Sequence, residues 1–392
     1  MSESCDVAIV GGGVVGSATA YFLLGQTSFK GRVVVIEKDS SYADAATPRS
    51  VGGVRQQFST PENISISTFG AAFLRNIDEY LSVDGEAPGV PFTQWGYLFL
   101  ATSSGLDTLK ANHATQTGLG ADIALMSPDQ LKSKFPWLNT ADLAGGSFGR
   151  TNEGWTDPYG LLQAFKRKAR SLGAVYLNDE VVGIERANGR VVAVQLAKGG
   201  RLGCGNLVNS AGYHSQTVAA MAGIELPIRP RKRCVFVFDC KTPIERAPLT
   251  IDPSGVYFRP EGAGFIGGVA PPEDRDPDCL DFEIDYSLFE ETVWPVLAER
   301  IPAFESIKLN RAWCCHYDYN TVDQNAILGP HPKIANFFFA SGFSGHGLQQ
   351  SPAVGRATAE MIVYGAFRSI DLTRFGYDRF AKGRPIIELN VV

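Results

Sequence analysis

"DVAIVGGGVVGSATAYFLLG", residues 6–25, decides how the rest of the chain is read. Asp6 to Val10 is a short apolar run of the buried-strand kind. It leads into Gly11-x-Gly13-x-x-Gly16, and the residues that follow continue at helical spacing. Each glycine has its own job in a strand–turn–helix unit that takes up a dinucleotide. Gly11 permits the tight turn, Gly13 admits a pyrophosphate to the backbone, and Gly16 lets the helix lie close to the strand. The helix N-terminus then offers free N–H groups and positive dipole to the phosphates. About 20 residues later, "RVVVIEK" ends a second buried strand at Glu37, an acid placed for ribose hydroxyls. A plain glycine turn in an ordinary α/β unit is the alternative, but it does not require strand, loop, helix, strand and acid in that order.

The same grammar returns near the C-terminus in "FFFASGFSGHGLQQSPAVG", residues 337–355. A Phe-rich apolar run meets a loop with Gly342, Gly345 and Gly347, and a helix-like segment follows. Two such units in one chain read as two nucleotide sites or as two walls of one site. The fingerprint alone does not separate NAD from FAD. An NAD enzyme would normally continue strand–helix–strand through a full sheet, whereas here a Gly/Ser/Thr/Pro-bearing loop over residues 39–63 interrupts the pattern.

Between these units the character changes twice. "VPFTQWGYLFLAT" has strand composition, and "SPDQLKSKFPWL" carries a Ser127 N-cap and a Pro136 stop. "PYGLLQAFKRKARSL" reads as an amphipathic helix with Pro158 in its first turn. Strands with turns at Asn188-Gly189 and Gly199-Gly200 follow, and residues 228–310 turn strand-rich again before a helix around "SLFEETVWPVLAERIPAF". This alternation predicts two interwoven domains. The dinucleotide-binding parts are residues 1–88, 151–225 and 319–392, and the substrate-domain parts are residues 89–150 and 226–318.

Bulk properties remove several function classes. The 392 residues, 44% of them hydrophobic, can build two domains. A net charge of −5 with no basic stripe excludes nucleic acid as the expected partner. Seven cysteines without a C-x-x-C pair suggest reduced thiols, and five scattered histidines suggest no metal site. No stretch approaches 18 apolar residues, so no membrane span is expected. Only five residues precede the first strand, too few for a secretory leader. A cytoplasmic location is therefore the expectation, although a mitochondrial form whose transit peptide has been removed would leave no trace.

Seven stretches together carry a resemblance: "DVAIVGGGVVGSATAYFL", "VVVIEK", "SVGGVR", "EGWTDPYGLLQAF", "LVNSAGYHS", "GVYFRPEGAGFIGG" and "ASGFSGHGLQQSPAVG". The chain resembles the D-amino-acid oxidase (DAO) family of flavoproteins, in its sarcosine oxidase and dimethylglycine dehydrogenase branch. "YDYNTVDQNAILGPHP" followed by "FSGHGLQQ" resembles a subgroup of FAD-dependent oxidoreductase-domain proteins associated with assembly of respiratory complex I. The resemblance implies a Rossmann-like FAD domain, α/β, interwoven with an α+β substrate domain built on a mixed, largely antiparallel sheet. It also implies that the two glycine loops serve one FAD, the first at the pyrophosphate and the last at the ring.

Residue by residue, the resemblance places Gly11, Gly13, Val14, Val15 and Gly16 at the pyrophosphate, with Glu37 and Lys38 near the ribose. Ser50, Gly52 and Gly53, then Val182, Ala211 and Gly212, and finally Gly342, Gly345, His346, Gly347, Leu348 and Gln349 complete the expected cofactor set. A helix starting near Gln349 or Gln350 would aim its dipole at charge developing on the ring. One helix end supplies at most roughly 2 kcal/mol, a factor of ~30 in rate, so substrate positioning must carry much of the remainder.

Four residues are candidates for the chemistry. His346 either bonds the ring's carbonyl region, lines the substrate pocket, or merely caps its loop. Arg55 stands where relatives hold the substrate carboxylate, a group that a planar guanidinium suits, or else it is a surface arginine. Tyr257 and Arg259, two apart on a strand, share one face, which is either the pocket or an ordinary sheet surface. Tyr317 and Tyr319 have the same parity, with Asp318 opposite.

Three departures from the family pattern temper the expected chemistry. Gln349 stands where sarcosine oxidases carry a carboxylate-binding lysine, and Phe265 aligns with their oxygen-activating lysine. Cys314, Cys315 or His316 falls near the cysteine that binds FAD covalently in some relatives, and non-covalent FAD is the expectation. The implied activity is oxidation of a C–N bond in a secondary, N-substituted or other small amino acid, to an imine that water hydrolyses. Electrons would pass to oxygen or, as the missing lysine suggests, to a protein or quinone acceptor. Two other readings remain: an assembly protein with mainly structural FAD, and a dehydrogenase of 2-hydroxy acids or glycerol 3-phosphate.

Overall fold

The apolar runs on either side of the first glycine loop become adjacent parallel strands, Glu3–Val10 and Val33–Glu37, with the helix Val14–Leu24 between them. Val33 to Ile36 are all buried, as expected of strands covered on both faces. The computed structural model describes residues 3–389. Among these, five strands form a parallel core in the order Val175–Asn178, Val33–Glu37, Glu3–Val10, Gly200–Asn209, Ile334–Ser341. The hairpin Val181–Ala187/Arg190–Leu196 adds antiparallel to the first half of Gly200–Asn209, and Ile327–His331 adds antiparallel to Ile334–Ser341.

This order settles why the chain carries two glycine loops. Val10 pairs with Asn209, and Asn209 pairs with Phe339, so the three strands end side by side. Their following turns, at Gly11, Ser210–Gly212 and Gly342–Gly347, therefore cluster at the carboxyl edge of one sheet, where ligands of open α/β sheets bind. The outer two strands are two spacings apart, roughly 10 Å. The helices after these two turns pack on each other. A Cβ on Gly355 would lie 2.7 Å from the carbonyl carbon of Ala18, so this crossing requires glycine. Pro352 sits inside the helix Gly347–Tyr364 and cannot donate to the Leu348 carbonyl. The Ser351 hydroxyl donates there instead, at 2.8 Å.

A second eight-stranded sheet runs Ile307–Asn320, Ile228–Cys240, Gly264–Gly268, Tyr257–Glu261, Leu249–Ile251, Tyr97–Ala101, Gly145–Gly149, Ile123–Met126. Every pairing is antiparallel except that of Leu249–Ile251 with Tyr97–Ala101. Its outer face packs on the helical stretch 286–306 through Phe236, Phe238, Phe258, Phe265, Phe289 and Phe304. A small sheet joins Gly53–Val54, inside the 39–63 stretch read from sequence as loop, to Gly154–Thr156 and, through it, to Phe92–Thr93. The Ser127 cap is present as a full capping box with Gln130. All seven cysteines are free thiols. No helix of the described residues is long and apolar enough to cross a membrane.

Candidate active site

A cavity of about 420 Å³ runs along the carboxyl edge of the parallel strands. At one end its wall includes Glu37, Lys38 and Val181, in the middle Gly11, Gly13, Val14 and Val15, and at the other end Tyr317, Gly345, Gly347 and Leu348. The first turn is held tightly. A Cβ on Gly11 (φ +96°) would lie 2.4 Å from the Ser210 carbonyl oxygen, and one on Gly16 2.0 Å from the Gly11 oxygen. The Glu37 carboxylate accepts the Gly12 N–H at 2.8 Å and the Asp39 N–H at 3.0 Å, and burial raises its pKa. The Val14 N–H reaches Thr47 Oγ1 at 3.3 Å. Lys38 Nζ lies 2.8 Å from His214 Nε2, and burial, then Lys38 itself, push this histidine down to about 4.

The last turn is held by Asp318, whose carboxylate accepts the N–H groups of Gly342 (2.7 Å) and Phe343 (3.1 Å). Burial raises that carboxyl to about 6. Gly345 (φ +100°) passes so close to Tyr317 that a Cβ would stand 2.4 Å from the ring. The following helix starts at Gly347 with His346 as N-cap, two residues earlier than the sequence suggested. Its first turn carries N–H groups that a helix leaves unsatisfied, and Gly347 and Leu348 bring them to the cavity wall.

A second, smaller cavity of about 80 Å³ shares Ser50, Cys315, Tyr317, Gly345 and Leu348 with the first. Arg55, Tyr97, Arg233, Tyr257 and His346 contribute to its remaining wall. Arg55 is 2% exposed. Its guanidinium carbon stacks 4.3 Å from the Phe58 ring centroid and 5.1 Å from that of Phe99. It donates to the Gln57 carbonyl and to His346 Nε2, each at 3.0 Å, while its backbone N–H donates to Gln349 Oε1 at 2.7 Å. His346 Nε2 must then be the unprotonated acceptor, with the ring proton on Nδ1. Burial first, and Arg55 second, hold this imidazole neutral down to about 3.

The profile of the DAO family, described as FAD dependent oxidoreductase, matches residues 6–361. The chain belongs to the DAO family of FAD-dependent oxidoreductases. It is 45% identical to FAD-dependent oxidoreductase domain-containing protein 1 of Xenopus laevis, over all of this chain and 85% of that protein. It is 26% identical to sarcosine oxidase subunit beta of Rhizobium meliloti, covering 98% and 90% of the two chains. Among solved structures, L-proline dehydrogenase from P. horikoshii superposes with a TM-score of 0.87 at 29% identity, covering 98% and 100%.

The long cavity fits the cofactor of the DAO family. Its middle is a glycine turn at a helix N-terminus, where a Cβ on Gly11 would strike the Ser210 carbonyl and push the turn out of its present shape. Its wall also holds His316, 1% exposed, whose ring nitrogens make no well-formed hydrogen bond within the protein although the Asp281 backbone lies close, a group suited to a polar ligand. Among the described residues no His/Cys/Asp/Glu cluster is placed to hold a metal.

Most residues expected at the DAO cofactor line one cavity or the other. Gly11, Gly13, Val14, Val15, Glu37, Lys38, Ser50, Ala211, Gly212, Gly345, Gly347 and Leu348 line the long one, while Gly53, His346 and Gln349 line the small one. Gly16, Gly52 and Gly342 act behind the wall, Gly52 (φ +78°) because a Cβ there would meet the Thr156 oxygen at 2.2 Å. Val182 is 51% exposed and belongs to neither wall. The preceding Val181 lines the long cavity, because successive strand residues face opposite ways.

The four chemical candidates separate. Arg55, Tyr257 and His346 meet in the small cavity, but Arg259 does not reach it. Arg259 donates to the Val51 carbonyl at 2.9 Å and pairs with Glu261, so it tethers the 50–53 loop from behind. Tyr317 stands where the two cavities join, whereas Tyr319 lies outside both walls beneath Arg231 and Arg233. Phe265 faces the Phe238/Phe258/Phe304 core on the opposite side of its sheet. Cys315 and His316 reach the long cavity, and Cys314 points into that core.

Several wall-builders left no mark in the sequence that sets them apart. Arg233 stands in "RPRKRC" among three other cations, with nothing local to single it out. Glu153 is fully buried behind Arg55, accepting the Gln56 N–H at 2.5 Å and Gln57 Nε2 at 2.7 Å, and burial raises its pKa to about 7. Thr47, Ser210 and Asp318 hold their turns through partners distant in sequence.

Proposed function

We propose that this DAO-family protein oxidises the carbon–nitrogen bond of a small amino acid, secondary or N-substituted amines first among them. The observation that carries the reading is the small cavity opening off the cofactor cavity, with aromatic walls and two buried guanidinium groups, Arg55 and Arg233. Its 80 Å³ gives room for on the order of six water-sized centres, which favours a compact substrate. The 29% identity to an L-proline dehydrogenase and the 26% identity to a sarcosine oxidase subunit support the same class.

When bound, FAD would be held by the residues of the long cavity, with Gly11, Gly13 and the first turn at Gly347 among them, and would supply a two-electron acceptor. The chain's own contribution is positional. Tyr317 and Tyr257 line the small cavity where the substrate would sit, the guanidinium groups would orient its anionic end, and the buried walls would exclude water. The substrate's C–H bond breaks with its electron pair leaving, and the nitrogen lone pair closes the C=N bond. Water then adds to the imine carbon and releases the amine. The nitrogen must enter unprotonated. His346 accepts from Arg55 and stays neutral, so no strong base faces it there, and the substrate loses its proton to solvent before closure. The first turn at Gly347, on the wall of the long cavity, would stabilise negative charge on the bound cofactor.

The electrons pass, in this reading, to a protein or quinone acceptor, in keeping with the lining of the small cavity, which contains no lysine of the kind that activates oxygen in sarcosine oxidases. Anaerobic mixing of FAD-loaded protein with N-methyl amino acids, cyclic imino acids and D-amino acids tests the proposal. At least one set bleaches the flavin's visible band and yields an amine or ammonia with an oxo acid. If dithionite bleaches the band and none of the amino acids does, the reading fails and a mainly structural flavin takes its place. An oxo acid formed from a hydroxy acid with no nitrogen released would replace it with alcohol oxidation.

A further inference from the structure

The strand Ile228–Cys240 opens with four cations, Arg229, Arg231, Lys232 and Arg233, and the segment 273–285 lies over them with acids at Asp276, Asp278 and Asp281. Three contacts are of the surface kind. Arg229 and Arg231 share Asp278 at 3.6 and 3.5 Å, and Lys232 meets Asp281 at 2.6 Å, with each acid side chain 52% exposed. Such pairs contribute little.

The fourth contact differs. Arg233 and Asp276 meet fork to fork, both distances 2.8 Å, with both side chains only 10% exposed. Arg233 lines the small cavity, its guanidinium carbon 5.2 Å from the centroid of the Tyr317 ring. The base stands on a rigid strand, paired across to Cys315. The acid arrives on a segment with neither long helix nor strand, whose neighbouring residues 272–275, 277 and 278 are exposed. A buried arginine left without an anion is costly, and Asp276 removes that cost when the cavity holds no substrate. An amino acid's carboxylate presents the same two oxygens in one plane. Exchanging it for Asp276 replaces one bidentate pair on Arg233 by another. Arg55, by contrast, is engaged by the Gln57 carbonyl of its own loop and by His346 of the C-terminal glycine loop.

We propose that Arg233 receives the substrate's carboxylate and that Asp276 is its tethered stand-in, so that carboxylate binding frees the segment 273–285. This rests on the amino-acid reading above. It makes Arg233 a specificity determinant for amino acids against plain amines. It also couples substrate entry to the wall of the cofactor cavity, because Leu280 and Phe282 of the same segment line it.

The test uses the full chain loaded with FAD and two unreactive probes, furoate and its neutral amide furamide. Binding is followed by perturbation of the flavin spectrum and by calorimetry. The unsubstituted protein binds furoate in preference to furamide. Asp276→Asn, which removes the internal competitor, binds furoate about tenfold more tightly or better, the scale of a charge-assisted hydrogen bond. Arg233→Gln loses furoate binding while holding FAD at full stoichiometry. A gain of affinity cannot arise from misfolding, so the Asp276 variant keeps the test decisive. Furoate binding unchanged in Arg233→Gln, unchanged or weakened in Asp276→Asn, or never distinguished from furamide, overturns the proposal. If the probes behave as expected but no amino acid bleaches the flavin, the amine-oxidation reading falls and the carboxylate site stands. If amino acids bleach it and Arg233→Gln does so with the same KM, the reverse holds.

Discussion

His346 Nε2 accepts a hydrogen bond from the Arg55 guanidinium at 3.0 Å, joining two loops 291 residues apart in sequence. The pair locks the tail of the chain to the loop after the second strand, at the wall of the small cavity. Replacing His346 with Ala leaves a buried guanidinium nitrogen without this acceptor. The expected loss is about 1.5–3 kcal/mol, with a slower rate of flavin reduction by substrate. His346→Gln, which restores an acceptor, recovers part of both. Urea denaturation and anaerobic stopped-flow reduction of the three proteins check this.

Glu153 and His346 give opposite pH dependences. The folded protein holds the Glu153 proton up to about 7, against 4.5 for an ordinary carboxyl. Its contribution is therefore full below pH 4.5 and is lost as pH rises through 7, about 3 kcal/mol in all. His346 titrates at about 3 when folded and near 6.5 when unfolded, so its contribution is full above pH 6.5 and is lost as pH falls. Between 4.5 and 6.5 the two slopes oppose. Glu153→Gln removes only the first, so the stability of this variant climbs with pH across that window more steeply than that of the unsubstituted protein. Denaturant midpoints measured across the window show it, and parallel curves would refute the assignment.

Gly355 is the contact point of the two dinucleotide-side helices. Gly355→Val forces side-chain atoms into the backbone at Ala18 and Thr19, and overpacking of this kind costs about 1–3 kcal/mol. Because the displaced helix carries the Gly347 turn, FAD release should quicken as well. Gly118→Ala serves as the control. A Cβ there meets nothing within 4 Å, and the thermal midpoint stays the same or rises slightly.

Asp323 and Arg379 form a buried bidentate pair at 2.7 and 2.9 Å, with side chains 0% and 4% exposed. The same carboxylate accepts from Asn320 Nδ2 and from the Ile386 N–H, so it binds the chain's last segment to the strand end beyond Tyr317. Asp323→Asn leaves a buried cation uncompensated and should cost about 3–5 kcal/mol. Adding Arg379→Met recovers part of that loss in a double-mutant cycle, and simple additivity would show the pair to be uncoupled.

The features legible in the sequence are those set by near neighbours. The strand–glycine–helix unit at Gly11–Gly16 follows from apolar run, turn and helical period within about 20 residues. The Ser127 cap and the Asn188-Gly189 turn are equally local. Where the reading slipped, a longer-range contact intervened. The helix after the second glycine loop begins at Gly347 rather than near Gln349 or Gln350 because its first turn winds directly off the Asp318-held loop. Tyr257 and Arg259 share strand parity, yet Glu261 and the Val51 carbonyl draw the arginine away from the cavity.

By itself the sequence determined that one end of this protein takes up a dinucleotide and that a second glycine loop answers it at the other end. Only the tertiary structure decided that both turns serve one cavity, since this depends on Asn209 lying between Val10 and Phe339 in the sheet. It also decided which of many arginines matter. Arg233 reaches the small cavity held by Asp276 on a distant segment and beside Tyr317 on the neighbouring strand, contacts that no local stretch of sequence announces.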